Sequence, residues 1–392
     1  METQLTHGAA QQKYLEILRR VECPERDRHP LHKLYSYPAK FQASVPELII
    51  EGFSGPGDIV LDPFGGGGTV SVSCRLMGRS SVHYDLSPLA CLVTLAKTTF
   101  IEDREASFVK SEFSAAAELA GAFFPAAARN ASLGALFDAE ERHMMGSFVA
   151  EAAEGVWQLA QRLKDAGSSA APLVACLLVR FLKLCGRRDA VERRDRPVRA
   201  HLEWFMSEYA KYAAATNAGG PPRTIHAVRC ASNHQLELED RTVALVVTSP
   251  PYSGVDIEYS EIQIQRRDIG RCYRSLAGVR VANLFFEGAP TKRGLCDGGV
   301  PGVRNYPENA RRSLLEMQRV MIPGAFAFVY CGFKDDAGRD GYEKLLAGTG
   351  FELVDRIGVR LSADRGASSR SLHHGRDTNM MGRDWLFIAR KV

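Results

Sequence analysis

The stretch that most constrains the fold spans residues 57–88, GDIVLDPFGGGGTVSVSCRLMGRSSVHYDLSP. Its pattern predicts a strand over 59–61, a helix over 69–77 and a second strand over 81–84. A glycine run joins the first strand to the helix, so the stretch is a βαβ unit, whose strands are normally parallel with a right-handed crossover. The sequence therefore predicts an open α/β sheet.

The rest of the chain divides by pattern. Between residue 89 and about residue 211, alanine, leucine, glutamate and arginine dominate and predict several helices. The segment TNAGGPPR at 216–223 reads as a linker, after which strand patterns resume. We predict one α/β domain formed by residues 1–100, with the cofactor loop, and 216–392, with the catalytic motif. A helical insertion occupies residues 101–215.

A helix, a turn and three strands are predicted near the end of the chain. SLLEMQRVMIPGAFAFVYCGF, residues 313–333, predicts a helix, a Pro-Gly turn and a strand. GFELVDRIGVRL and RDWLFIARKV predict two strands that pair antiparallel across residues 362–382. These strands complete the predicted sheet.

Composition excludes several classes of protein. The nine cysteines are scattered with no C-x-x-C pair, which argues against a disulfide framework and against a zinc site. The first residues are polar, with no apolar signal core. The most apolar stretch, 170–185, contains Arg180 and Lys183, so we expect no membrane span. The net charge is only +4. These features predict a cytoplasmic protein with reduced thiols and no bound metal.

The loop DPFGGGGT, Asp62 to Thr69, follows the first predicted strand at the edge where open parallel sheets bind ligands. Glycines let a backbone approach a ligand without an intervening Cβ. Asp85, at the end of the second strand, is placed to accept hydrogen bonds from ribose hydroxyls. The dinucleotide fingerprint fails at Val70, and no lysine follows Gly68 as in a P-loop. The pattern favours an adenosine-containing cofactor over a glycine turn without a ligand.

The second motif, TSPPY, ends the predicted strand ALVV, because prolines donate no ladder hydrogen bond. The hydroxyl of Ser249 and the carbonyl of Pro250 can accept hydrogen bonds from an exocyclic amine, and Pro251 keeps the turn rigid. Tyr252 offers a face on which an extruded base stacks. Direct attack of the amine on a sulfonium methyl would need only positioning and electrostatics. A turn that merely caps a buried strand is the alternative.

Together, DPFGGGGT and TSPPY resemble the motifs of the DNA amino-methyltransferases that use S-adenosylmethionine. The resemblance implies a Rossmann-like class I methyltransferase sheet with a C-terminal antiparallel hairpin, here carrying the inserted helical domain. The segment HKLYSYPAKF, 32–41, resembles the part that closes over the methionine end of the cofactor. The implied catalytic residues are Ser249, Pro250, Pro251 and Tyr252. The implied cofactor-binding residues are Tyr37, Lys40, Phe41, Asp62, Pro63, Phe64, Gly65, Gly67, Thr69, Asp85, Leu86 and Thr248.

The serine form of the second motif is typical of the branch that methylates cytosine N4, and Asp or Asn in place of Ser249 is more usual for adenine N6. The resemblance thus implies methyl transfer to cytosine N4 in DNA, with adenine N6 as the nearest alternative. RNA methylation, a catalytically silent nucleic-acid-binding module and a nicotinamide-dependent oxidoreductase are also compatible with the sequence. Carbon-5 methylation needs a cysteine nucleophile, usually after proline, and the chain has no Pro-Cys. Two departures from the family pattern are Ala244 and the G-G-G of the loop.

Arginine-rich segments are candidates for reading double-stranded DNA. The helical insertion contains RFLKLCGRRDAVERRDRPVR, with Arg187, Arg188, Arg193 and Arg194, although its interspersed acids equally suit a solvated helix face. The second candidate, 260–312, follows Tyr259 and contains Arg266 and Arg267. The third, 365–376, includes a His-His pair with no further metal ligand evident. Such a protein would act in the prokaryotic cytoplasm at the nucleoid, with a cognate restriction endonuclease as a candidate functional partner.

Overall fold

The computed structural model describes residues 29–37, 43–118, 136–187, 190–218, 220, 223–251, 262–265, 272–286, 306–333, 335–359 and 384–392. The strands are β1 (Ile59–Asp62), β2 (Ser80–Asp85), β3 (His226–Cys230), β4 (Val243–Thr248), β5 (Ile262–Gln265), β6 (Cys272–Ser275), β7 (Met321–Gly332), β8 (Phe351–Val359) and β9 (Asp384–Lys391). The helices before the insertion are α1 (Pro30–Lys33), α2 (Ser44–Phe53), α3 (Thr69–Leu76) and α4 (Pro88–Thr98). Those after it are α11 (Ala277–Asn283), α12 (Tyr306–Val320) and α13 (Asp336–Gly348).

Seven of the described strands form one sheet in the order β3-β2-β1-β4-β7-β9-β8. The neighbours from β3 to β7 pair in parallel, whereas β9 lies antiparallel between β7 and β8. The predicted Rossmann-like methyltransferase fold, with its terminal antiparallel hairpin, is confirmed. The remaining strands, β5 and β6, form a separate antiparallel pair.

Both faces of the sheet are covered by helices. Along β4, Leu245 and Val247 pack with residues of α2 and α3, while Val246 between them packs with residues of α12. This alternation is the period of two that a strand imposes on its side chains. The βαβ unit agrees with its prediction to within one residue at each boundary, because β-branched residues and a glycine run mark its ends.

Helices occupy the described parts of residues 101–215: α5 (Asp103–Glu118), α6 (Ala139–Met145), α7 (Ser147–Asp165), α8 (Ala171–Cys185), α9 (Val191–Arg194) and α10 (Val198–Asn217). Buried residues of α5, α6, α7, α8 and α10 share one core with Leu89 and Val93 of α4 and with Leu34 and Tyr35. Helix α10 continues into the first two residues of the predicted linker. The boundaries drawn between the domains remain a prediction.

The Pro-Gly turn predicted after α12 is part of β7 instead. Pairing with β4 jumps from Val243–Met321 to Leu245–Phe326, so Pro323 and Gly324 lie in a bulge of the strand. Gly324 has a φ of +79°, a conformation that favours glycine. A bulge absorbs the extra residues while the strand continues.

Candidate active site

The glycine loop, 62–69, joins the carboxyl end of β1 to the first residue of α3. Gly65 donates its N–H to the carbonyl of Tyr84 on β2 at 2.9 Å, and Gly68, with a φ of +74°, caps α3. The N-terminus of a helix carries backbone N–H groups that lack intrahelical partners, and the carboxyl edge of a parallel sheet is where ligands bind. The structure therefore places the loop at the binding edge of the sheet.

Three of the four glycines are required by neighbouring side chains of the protein. A Cβ on Gly65 would lie well under 3.0 Å from the ring of His83. A Cβ on Gly67 would lie 2.7 Å from the Cβ of Tyr37, and one on Gly68 would lie 2.9 Å from the Cβ of Thr94. The protein itself therefore fills the Cβ direction of these three glycines, and the approach of a ligand to the loop backbone stays a prediction.

Asp85 ends β2 beside the loop. One oxygen, Oδ2, accepts the N–H of Gly66 at 2.8 Å, and the other, Oδ1, accepts the N–H of Ser87 at 2.8 Å. Burial raises the pKa of Asp85, against the lowering effect of these backbone donors. A carboxylate oxygen has two lone pairs, so each oxygen keeps capacity for a further donor. Asp85 thus fixes the loop and can still accept hydrogen bonds from a ligand.

Asp62 joins the glycine loop to the catalytic motif. Its Oδ1 accepts the hydroxyl of Thr248, the last residue of β4, at 2.7 Å and the N–H of Phe64 at 3.2 Å. Only 4% of Asp62 is exposed, and burial raises its pKa to about 7. The tips of β1 and β4 are therefore connected through one buried carboxyl that titrates near neutrality.

The turn predicted to be catalytic, named the catalytic turn below, is described at Ser249–Pro251 and follows β4 directly. Pro250 is buried, and Ser249 and Pro251 are partly exposed. A small cavity lies beside the turn. Its walls are Phe64, Thr248, Pro250, Pro251, Tyr306, Asn309, Ala310, Ser313, Leu314, Met317 and Tyr342. Residues of the glycine loop, the catalytic turn, α12 and α13 thus share one concave site, while Tyr252 lies outside the described residues.

Tyr37 is the only described one of the three cofactor-binding residues predicted in the 32–41 segment. Its ring lies 3.6 Å from the position that a Cβ on Gly66 would take, so it packs against the loop. Lys183 of α8 donates to the carbonyl of Ser36 at 2.6 Å, and Arg180 donates to that of Leu34 at 3.0 Å. The helical insertion therefore holds this segment on the loop. Lys40 and Phe41 lie outside the described residues.

Comparison with known proteins adds to this geometry. A family model described as "DNA methylase" matches residues 6–96, which include the glycine loop and Asp85. Type II methyltransferase M.MjaII of Methanocaldococcus jannaschii is 38% identical over 73 residues, 19% of this chain. The resemblance to the DNA amino-methyltransferases is confirmed. The match spans 14%, about a seventh, of the length of that curated relative.

Solved structures match the chain at low identity. A geranyl diphosphate methyltransferase in complex with GPP and sinefungin is 10% identical, with 94% of this chain and 84% of that chain covered and a TM-score of 0.35. TrmN from Thermus thermophilus is also 10% identical, with 93% and 52% covered and a TM-score of 0.34. Similarity at this level carries no argument about the substrate of this protein.

The arginines predicted to contact DNA differ in their placement. Arg187 is exposed at the end of α8, and Arg193 is partly exposed. Arg194 is buried, and its guanidinium donates to the carbonyls of Cys185 at 2.6 Å and Arg187 at 2.9 Å. It closes the C-terminal end of α8, which is a structural role, and we remove it from the proposed DNA contacts. Arg188, Tyr259, Arg266 and Arg267 lie outside the described residues, as does the 365–376 loop.

A buried carboxylate that sequence analysis missed connects two of the candidate DNA-reading regions. Glu141 of α6 is 1% exposed and forms an ion pair with Arg280 of α11. Its Oε1 also accepts the hydroxyl of Ser275 at 3.0 Å and the N–H of Leu276 at 2.9 Å. The only local signal is the capping box that it forms with Asp138. The segment after the catalytic turn is thereby fastened to the helical insertion.

Two buried bases beneath the loop also escaped the sequence analysis. His83 lies against Gly65, neither of its ring nitrogens has a hydrogen-bond partner, and burial lowers its pKa to about 3. Lys97 of α4 is 1% exposed and donates to the carbonyl of Gly67 at 2.5 Å. Both side chains shape the loop from below, through contacts that no short motif encodes.

Within the described ranges, no three His, Cys, Asp or Glu side chains are grouped so as to hold a metal ion. None of the described helices combines the length and the apolar character that a membrane crossing requires.

Proposed function

We propose that this protein is a DNA methyltransferase that uses S-adenosylmethionine and methylates the N4 amine of cytosine in a base flipped out of the duplex. The observation that carries the proposal is that the glycine loop and the catalytic turn lie together at one site. Asp62 and Thr248 are hydrogen-bonded, and Phe64, Pro250 and Pro251 line the same cavity. The match to the DNA methylase family supports the proposal from sequence.

The residues at the sheet edge fit the cofactor. S-adenosylmethionine supplies, when bound, a methyl group activated by a positively charged sulfonium. Two acids, Asp62 and Asp85, suit a ligand with positive charge and ribose hydroxyls, and Asp85 retains acceptor capacity. We propose that these acids, the loop backbone and Tyr37 hold the cofactor. Lys40, Phe41, Pro63, Phe64, Thr69, Leu86 and Thr248 complete the proposed set.

The catalytic turn supplies acceptors for the target amine. An exocyclic amine of a nucleobase is a poor nucleophile, because its lone pair is delocalised into the ring. The hydroxyl of Ser249 and the carbonyl of Pro250 would accept its N–H groups and favour a pyramidal nitrogen. The ring of Pro251 limits the backbone, so these acceptors stay in place. Tyr252 is proposed to stack on the flipped base. The amine nitrogen would bond to the methyl carbon as the methyl–sulfur bond of the sulfonium breaks, leaving a neutral thioether, and the nitrogen would then lose one proton to water.

The choice of base rests on Ser249, since the serine form of the motif is typical of cytosine N4 methylation. Adenine N6 is the alternative and requires the same fold, cofactor and direct attack. The proposed substrate is double-stranded DNA, contacted by Arg187, Arg193 and residues after the catalytic turn. Because one relative is a type II methyltransferase, a cognate restriction endonuclease is a proposed functional partner.

The test incubates the chain with S-adenosylmethionine labelled in its methyl group and with unmethylated genomic DNA. The product is digested to nucleosides and resolved by mass spectrometry, with Ser249→Ala as the control for contaminating activity. We expect label in N4-methylcytosine that is lost in Ser249→Ala. Label in N6-methyladenine would overturn the base choice alone. Bound cofactor without labelled DNA would contradict the DNA substrate and direct the test to RNA.

A further inference from the structure

The segment 231–238, between β3 and β4, places one amide between the two halves of the site. Asn233 is 4% exposed. Its Nδ2 donates to the carbonyl of Pro63 in the glycine loop at 2.7 Å. Its Oδ1 accepts the hydroxyl of Ser313, a wall of the cavity on α12, at 2.8 Å. One buried side chain thus bridges the loop and the cavity wall.

The chemistry of this position suits asparagine in particular. A carbonyl needs a donor, and the serine hydroxyl needs an acceptor, since it donates to Asn233. An amide offers both from one planar group, whereas a carboxylate offers only acceptors and would face the Pro63 carbonyl without a proton between them. Alanine would leave the buried Pro63 carbonyl without its donor, which is costly in a dry environment, while the Ser313 hydroxyl would keep the Asn309 carbonyl, 3.1 Å away, as its acceptor.

The backbone that follows Asn233 is hydrogen-bonded both to α12 and to β2. The N–H of Leu236 donates to Glu316 of α12 at 2.7 Å, and Arg319 donates to the Leu236 carbonyl at 2.9 Å. The N–H of Glu237 donates to the hydroxyl of Tyr84 on β2 at 2.8 Å. The segment is therefore fixed both to β2 and to α12. This position keeps Asn233 within hydrogen-bond distance of both of its partners.

The residue after Pro63 is Phe64. Its N–H donates to Asp62, and Phe64 also lines the cavity. A displacement of α12 by a base in the cavity would thus be passed through Ser313 and Asn233 to the loop around Asp62. We propose that Asn233 is a positioning residue that couples binding of the methyl donor to binding of the target base. This inference rests on the proposed function, because it assigns the loop and the cavity to those two ligands.

The experiment measures the dissociation constant of sinefungin with and without an unmethylated duplex that the labelling assay shows to be a substrate. The coupling factor is the dissociation constant without the duplex divided by the dissociation constant with it. We expect the factor of the wild type to exceed one, and Asn233→Ala to bring it to about one. Each ligand alone should bind within about threefold of the wild type, and kcat should fall at least tenfold while KM for S-adenosylmethionine changes little.

Matched variants separate coupling from stability. Ser313→Ala removes one end of the bridge and should lower the coupling factor as Asn233→Ala does, with no further loss in the double variant. Ser232→Ala, at the exposed neighbouring position, should retain the coupling factor of the wild type. Asn233→Asp should resemble Asn233→Ala, because it cannot donate to the Pro63 carbonyl.

Two results would overturn the inference. One is an unchanged coupling factor in Asn233→Ala. The other is an equal loss of both affinities together with a lower unfolding temperature, as a purely structural role predicts. A wild-type chain that binds no sinefungin and labels no DNA would contradict the proposed function itself, which the variants do not test.

Discussion

The edge of the sheet and the arginine-rich segment at 187–199 were both singled out by sequence, but their side chains are used differently. At the sheet edge, groups from three strands meet: Asp62 of β1 binds Thr248 of β4, and Asp85 of β2 binds the loop. In the arginine-rich segment, Arg194 turns inward to carbonyls and Arg199 pairs with Glu203 at 3.0 Å. Arg187, by contrast, is exposed.

The difference shows what each kind of pattern encodes. A motif at a strand end is positioned by the ladder, because neighbouring parallel strands bring their carboxyl ends to one edge. A run of arginines specifies charge but not direction, since a guanidinium has five N–H donors and satisfies helix carbonyls as readily as phosphates. Substitutions in the two regions should therefore fail in different ways.

The largest effect is expected from Gly65→Ala at the sheet edge. Its Cβ would collide with the His83 ring, so the loop or the ring must move. The displaced loop is the proposed cofactor site, so we expect sinefungin affinity to fall on the order of 100-fold, the scale at which a misplacement of about 1 Å costs rate in an active site. Isothermal titration calorimetry measures it. Gly55→Ala is the control, because its Cβ would lie no closer than 3.7 Å to another atom. Equal affinities in the two variants would contradict the packing argument.

Glu141→Gln tests whether the helical insertion and the segment after the catalytic turn form one unit. It removes the charge that pairs with Arg280 but keeps an acceptor for Ser275. We expect the free energy of unfolding to fall by about 2 kcal/mol, measured by urea denaturation. The exposed neighbour gives the control Glu140→Gln, expected within about 0.5 kcal/mol of the wild type. If both variants unfold like the wild type, the buried ion pair does not fasten the segment.

Asp62 predicts a pH dependence at the sheet edge. A carboxyl with a pKa of about 7 is mostly protonated at pH 6 and mostly ionised at pH 8. Since the ionised form attracts a cationic ligand, affinity for sinefungin should rise about tenfold between these pH values.

Titration calorimetry across that range measures the effect, and Asp62→Asn should lose it while keeping an acceptor for Thr248. Dependence left in the variant would belong to Asp85, whose pKa is also raised. An equal tenfold rise in Asp62→Asn would contradict the assignment to Asp62.

The smallest effects are expected in the arginine-rich segment, where two variants sharpen the comparison. Arg187→Ala should weaken DNA binding a few-fold and lower the slope of log affinity against log salt by about 0.9, with stability unchanged. Arg194→Ala should lower the unfolding temperature by several degrees, because Cys185 and Arg187 lose a buried donor. Fluorescence anisotropy over a salt series, with thermal unfolding, measures both. Identical profiles would remove the distinction between the two arginines.

The fold and the position of the two motifs at strand ends could be predicted because their signals are local. The glycine run, the strand ends and the two prolines each lie within a few residues of the structure they specify, and the βαβ unit follows from them. Asn233 could not be predicted, because its partners lie 170 and 80 positions away. Glu141 bonds residues 134 and 135 positions away and looks like an ordinary capping residue in sequence. Long-range polar pairs leave no periodic trace.

The bonds of Glu141 bear on whether the helical insertion could be transplanted between proteins. Grafting residues 101–215 from one protein into another would leave a buried carboxylate without Arg280, or an arginine without its acid. Such a graft would also separate the insertion from the shared core that it forms with α4. A workable transplant would have to carry residues 272–286 with it and match the surface of α4. Residues 101–215 and 272–286 therefore act as one packing unit, and a graft of the first block alone should fold poorly.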